Sequence, residues 1–347
     1  MLRRLSPATA VALAAGLVVL GVALGYALRS LQVRPDNAYE IRGGRSGLTN
    51  PLLDCEVHGY RHGRELPSFQ HELEGRVADL LRGGTVREVS VYFRDLDNGP
   101  WVGVGEDRPF APGSLLKLPT IIACLKQAEA DPAFLDRTVR FQGALEGGVI
   151  AGFDPGAPLE AGKEYTVREL LARTGALSDN YSLMLLNRLV DRRVLRQIYH
   201  DLGLAAPADV ISQAVPISPK TYGQIFRVLY NASYLSRQMS ETALGLLTDT
   251  VFAGGLVAGV PPGTTVSHKF GIYTEPAGGA TATQLHDCGI VYHSRRPYFL
   301  CVMTRGTAEP ALEAAIRDVA SFVYARVDAS TAGGADGLGP PPAEVRR

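Results

Sequence analysis

Residues 86–96 alternate apolar and polar side chains, which is the period of a half-buried strand. Asp97, Asn98 and Gly99 then supply a tight turn, and residues 100–105 can return as the second strand of a hairpin. Three further strand-like runs lie at residues 264–272, 285–292 and 298–304, the last two joined across a turn at 293–297. Between the two groups the period changes. Residues 115–125 are nearly all apolar and read as a buried helix. Thr166 and Glu169 form a capping box that opens a short helix, and residues 182–190 are helical again. A last helix over 309–326 has the pattern to pack back on the sheet. The expectation is an α/β fold: an antiparallel five-stranded sheet flanked by helices, plus an all-helical lobe.

The chain has 347 residues, 46% of them hydrophobic, with 35 basic and 35 acidic side chains. That is enough for one large domain or two small ones, and the balanced charge gives no reason to expect nucleic acid or an acidic polymer as partner. Residues 8–28 are uncharged and largely apolar, long enough to span a bilayer as a helix. Arg3 and Arg4 precede them, which favours a cytoplasmic N-terminus. A cleaved signal peptide is the alternative, but its apolar region is usually about 7–15 residues. The reading is therefore a membrane anchor in residues 1–29, a linker in 30–60, a body in 61–327 outside the cytoplasm, and a disordered Gly- and Pro-rich tail in 328–347. Cys55, Cys124, Cys288 and Cys301 would then meet an oxidising compartment. Cys124 falls in the buried helix. Cys288 and Cys301 flank a hairpin turn and could pair, or Cys55 could reach one of them. His58 and His62 have helical metal spacing, but Gly59 and Gly63 argue against a helix, so neither a metal nor another cofactor is expected.

The candidate chemistry lies in three short motifs. Ser114 and Lys117 are three apart, so a helix places both on one face. A serine hydroxyl is a weak nucleophile that needs a base, and a lysine beside a buried helix is partly desolvated, which makes its neutral amine accessible. Pro119 is tolerated there only if the helix starts close to Ser114. The second motif, Ser178-Asp179-Asn180, falls on a connection between two helices. The third, Lys269-Phe270-Gly271, falls on a strand, with His268 pointing to the opposite face from Lys269.

In this order, S-x-x-K, S-D-N and a near K-T-G resemble the signature of class A β-lactamases and penicillin-binding enzymes. The resemblance covers roughly residues 68–326, and it implies a β-lactamase/transpeptidase-like fold with the cleft between sheet and helical lobe. It implies Ser114 as acylated nucleophile, Lys117 as its base, Ser178 as proton donor to the leaving nitrogen, and Lys269 as the positive charge that meets a substrate carboxylate. Asn180 and the strand residues Phe270, Gly271 and Ile272 would face substrate, the Ser114 and Ile272 N–H groups forming an oxyanion hole. The implied partner is a β-lactam or an acyl-D-Ala-D-Ala peptide of the cell wall.

Two departures stand out. Phe270 replaces a residue that usually carries a hydroxyl for the substrate carboxylate. From Asn180 to Lys220 there is no glutamate, although class A enzymes use one in this interval to activate the deacylating water. Asp209 or Gln213 of the loop-like part could position a water instead. The expectation is a serine hydrolase that acylates and is slow to deacylate. The alternatives are a DD-peptidase-like cell-wall enzyme, an esterase or amidase using the same serine and lysine, and a non-catalytic binding protein of the same fold.

Overall fold

The computed structural model describes residues 16, 47–49, 66–97, 99–143, 158–205, 215–277 and 280–332. Five strands, β1 (Val86–Asp95), β2 (Trp101–Val104), β5 (Val266–Ala277), β6 (Ala280–Val291) and β7 (Tyr298–Gly306), form an antiparallel sheet in the order β2-β1-β7-β6-β5. Two short strands, β3 (Thr138–Arg140) and β4 (Glu164–Thr166), pair separately. Helices α1 (Leu66–Leu81) and α8 (Glu309–Ala332) cover one face of the sheet. The lobe on the other face contains α2 (Lys117–Ala130), α3 (Val167–Ala172), α4 (Asn180–Leu189), α5 (Arg192–Asp201), α6 (Pro219–Tyr230) and α7 (Arg237–Thr248).

Strand alternation divides the core in two. Val89, Val91 and Phe93 of β1 pack with Phe69, Leu73, Leu312 and Ile316 of the two covering helices. Tyr92 between them joins Phe226, Phe299 and the buried residues of α2 on the lobe side. A sheet buried on both faces reads as a long apolar run, and β7 is buried at eight of its nine positions.

Two elements run further than their sequence pattern predicts. The β5–β6 hairpin extends to Ala277 and Ala280, beyond the predicted 264–272 and 285–292, because pairing continues through Pro276 opposite Thr281. Proline lacks an N–H, so it fits an edge strand only where that N–H would point away from the ladder. The final helix runs past 326 into the stretch expected to be a tail. Val327 continues its buried stripe, and Ser330 Oγ accepts from Arg296, which also clasps the buried Asp95.

The linker stretch also touches the body. The N–H groups of Leu48 and Thr49 donate to the Glu241 carboxylate on α7 at 2.9 and 2.8 Å, and the Thr49 hydroxyl donates to it at 2.6 Å. Tyr292 Oη donates to the Leu48 carbonyl at 2.9 Å, and Thr49 is almost fully buried. Cys288 and Cys301 face each other across β6 and β7 and form a disulfide, while Cys124 is a buried free thiol. Cys55, the His58–His62 pair and, apart from Gly16, the apolar run 8–28 lie outside the described residues. Among the described residues, no helix is long and apolar enough to cross a membrane and no cluster of potential ligands could hold a metal.

Candidate active site

Ser114 lies in a 3-10 turn, Gly113–Leu116, that runs directly into α2. Pro119 therefore falls in the first turn of α2, where its missing N–H costs no intrahelical bond. The i to i+3 spacing brings the two side chains together: Lys117 Nζ donates to Ser114 Oγ at 2.5 Å. Ser114 is half-buried, whereas Lys117 is 3% exposed. Burial disfavours the ammonium and lowers the Lys117 pKa to about 7, with the Asp179 carboxylate opposing the shift. A neutral amine at that position can take the proton of Ser114 Oγ near pH 7.

Ser178 caps a π-helical turn, Arg173–Leu177, and adopts a left-handed conformation with φ of 56°. Such backbone is costly for a residue with a Cβ and persists where its surroundings hold it. Asp179 supplies that hold. Its carboxylate accepts from Arg173 Nε at 2.9 Å, from Ser182 Oγ at 2.7 Å and from the Tyr181 N–H at 2.9 Å, which caps α4. Asp179→Ala removes cap and ion pair together and is expected to destabilise the protein by about 2–4 kcal/mol. Urea denaturation followed by circular dichroism reads that loss, and Asp179→Asn should recover part of it through the cap alone. Asn180, the first residue of α4, is half-buried beside Ser178.

Lys269 on β5 is fully buried, and its Nζ donates to Ser178 Oγ at 2.9 Å and to the Phe270 carbonyl at 3.1 Å. Its pKa is pushed well below the usual lysine value, first by burial and then by the charge of Lys117, with Asp287 opposing. The second and third motifs are thus joined directly, and the first is coupled to both through Lys117 and Asp179.

The direction of the Ile272 N–H follows from strand parity. β5 is an edge strand, so alternate residues turn both backbone groups outward. The carbonyls of His268 and Phe270 accept from the Thr250 hydroxyl and from Lys269 Nζ, both outside the ladder. Pro276 has the same parity. Ile272 does too, so its N–H points to the open edge. Gly113 and Gly271 let the Ser114 turn approach that edge. A Cβ on Gly113 would sit 2.6 Å from the Ile272 oxygen, and one on Gly271 would sit 2.5 Å from the Pro112 oxygen.

Phe270 corrects one sequence expectation. Its ring is 1% exposed and stacks on Phe252 with centroids 4.7 Å apart, so it packs in the core behind the strand and presents no side chain to substrate. Its backbone carbonyl accepts from Lys269 Nζ, which also lies 4.3 Å from the centroid of its ring. His268 does point away from Lys269 and bonds Asp287 at 2.7 Å. Asp209 and Gln213 lie outside the described residues. Sequence reasoning missed Gln284 and His286, buried polar residues of β6 that reach the chain just before Ser114. Their signal was two polar residues spaced by two in an apolar strand, visible as a face only once the register with β5 is known.

The arrangement resembles known proteins at two levels. A family model described as "Beta-lactamase enzyme family" matches residues 72–327. Among solved structures, an acyl-enzyme complex of a PBP-A mutant with penicillin G is 22% identical, with a TM-score of 0.62 over 76% of this chain and 97% of that one. A β-lactamase from Chitinophaga pinensis is 22% identical, with a TM-score of 0.63 over 74% and 99%. The TLA-1 extended-spectrum β-lactamase is 18% identical, with a TM-score of 0.64 over 74% and 99%. A comparison with curated proteins found no match. At these identities the structures show the fold, while the family model spans most of the chain together with all three motifs. With its serine–lysine pair inside that fold, the chain belongs to the β-lactamase enzyme family of serine hydrolases.

Proposed function

We propose that this protein is an acyl-enzyme serine hydrolase that opens β-lactams or acyl-D-Ala-D-Ala peptides and releases the acyl group slowly. The 2.5 Å contact between Lys117 and Ser114 carries the reading. Neutral Lys117 takes the Ser114 hydroxyl proton as Oγ attacks the carbonyl carbon. The oxyanion is met by the N–H groups of Ser114 and Ile272. The leaving nitrogen receives a proton from Ser178, which draws on Lys269 through their 2.9 Å hydrogen bond. A substrate carboxylate would add a second counter-charge to that of Asp287 beside buried Lys269, raising its pKa on binding.

Slow release rests on the sequence from Asn180 to Lys220, which contains no glutamate to activate water. The acyl-enzyme should therefore outlive that of a class A β-lactamase. The apolar segment 8–28 suits this body to the outer side of a bacterial cytoplasmic membrane, where cell-wall peptides are found.

Intact-protein mass spectrometry after mixing with penicillin G, followed over hours, tests the reading. The expected result is a mass increase equal to one whole penicillin molecule, localised to Ser114 and persisting after excess drug is removed. A transient adduct with steady drug consumption would replace slow release with true β-lactamase turnover. Absence of any adduct would favour a binding protein or an esterase.

A further inference from the structure

Both backbone groups of Ala111, three residues before the nucleophile, are held by side chains from one strand. The Ala111 N–H donates to Gln284 Oε1 at 3.0 Å, and its carbonyl lies 2.9 Å from His286 Nε2. The other ring nitrogen, His286 Nδ1, is 3.3 Å from the Thr304 N–H. A donor at Nδ1 therefore leaves the neutral ring one arrangement, with its proton on Nε2 directed at Ala111. Burial keeps the ring neutral, its pKa lowered to about 4. Gln284 and His286 are 1% and 0% exposed, on alternate positions of β6 and hence on one face.

These contacts do what a strand ladder would do, although residues 111–114 are not paired in any strand ladder. On the N-terminal side, Phe110 makes an isolated bridge with Ile217 at 3.0 and 2.9 Å. On the C-terminal side, Gly113 rests against the Ile272 backbone. Ala111 lies between these fixed points, and β6 also pairs His286 with Gly271 and Leu285 with Ile272. One strand therefore fixes both the approach to Ser114 and the edge that carries the second oxyanion donor.

We infer that Gln284 and His286 are positioning residues for acylation: their paired grip on the Ala111 backbone sets the height of Ser114 Oγ relative to the Ile272 N–H. This rests on the acylation reading above. Both side chains hold the Ala111 backbone, whereas the pKa of Lys117 is set by burial with Asp179 opposing. Their loss should therefore lower the rate without moving the pH at which Lys117 becomes competent.

The test compares wild type with His286→Leu, His286→Gln and Gln284→Met by stopped-flow penicillin acylation across pH, with thermal melts to confirm folding. His286→Leu and Gln284→Met should each slow acylation about 10–100-fold at saturating penicillin, with the pH midpoint unchanged. His286→Gln, whose amide nitrogen can still donate to Ala111, should recover most of the rate. A melt shift without a rate change in Gln284→Met would overturn the inference, as would a midpoint that moves with the rate. Amide hydrogen exchange of the peptide around residues 109–116 gives a readout independent of chemistry, and it should rise in both disruptive variants. Should wild type form no adduct at all, the functional reading fails. Unchanged exchange in folded variants would defeat the positioning claim on its own.

Discussion

Ser114→Ala should form no penicillin adduct at any time. The Oγ atom makes the attack, the Ser114 N–H that meets the oxyanion is backbone and survives the substitution, and among the described residues Lys117 Nζ has no second hydroxyl partner that could carry out the attack. The residue is half-buried in a 3-10 turn whose backbone contacts do not involve the hydroxyl, so the variant should fold with a melting temperature near wild type. Peptide mapping after exposure to a fluorescent penicillin checks this. A label that survives the substitution would assign the nucleophile elsewhere, with Ser178, already hydrogen-bonded to a lysine, as the first place to look.

Lys117→Ala should slow acylation by about 10²–10⁴-fold, the range for loss of a positioned general base. The wild-type pH profile gives a sharper test. Only the neutral amine can accept the Ser114 proton, and burial places its pKa at about 7. Acylation should therefore be near its plateau at pH 8–9, fall to half at about pH 7, and drop about tenfold per unit below pH 6. The same shift governs stability. An unfolded lysine titrates near its ordinary 10.5, so from about pH 7 to 10.5 the unfolded chain binds more protons than the folded one. The contribution of Lys117 to stability thus rises with pH across that window, and Lys117→Met should flatten the rise. A profile with its midpoint near 10 would mean that Lys117 is solvated and acts as a charge rather than as the base.

The sequence carried the hydrogen-bonding chemistry of this site better than its shape. Ser114 and Lys117 could be paired from spacing alone, because three residues on a helical turn fix a distance. The five strands could be counted from their alternation and turns. Their joining into one cleft could not, since Ser178 and Lys269 are 91 positions apart and meet only through the packing of β5 against the lobe. The extra length of the β5–β6 hairpin was hidden by Pro276, which reads as a strand breaker unless the open edge is known. Phe270 looked like a substrate contact because it stands within the motif, yet parity turns its ring into the opposite core. Gln284 and His286 looked like ordinary polar interruptions of an apolar strand, because their partner is the backbone of a segment 173 and 175 residues away.

The latch of Leu48 and Thr49 onto Glu241 changes how far the body can range. With residues 8–28 in a membrane, as proposed, a free linker through residue 65 would allow a leash of about 130 Å at roughly 3.5 Å per residue. Docking at residue 47 leaves only residues 29–46 as the leash, with a limit of about 60 Å. It also moves the attachment point from α1, beneath the sheet, to α7, which packs against the strand that carries Lys269. The cleft is then tethered from its own side, and the volume it can search is a shallow cap close to the bilayer rather than a deep hemisphere.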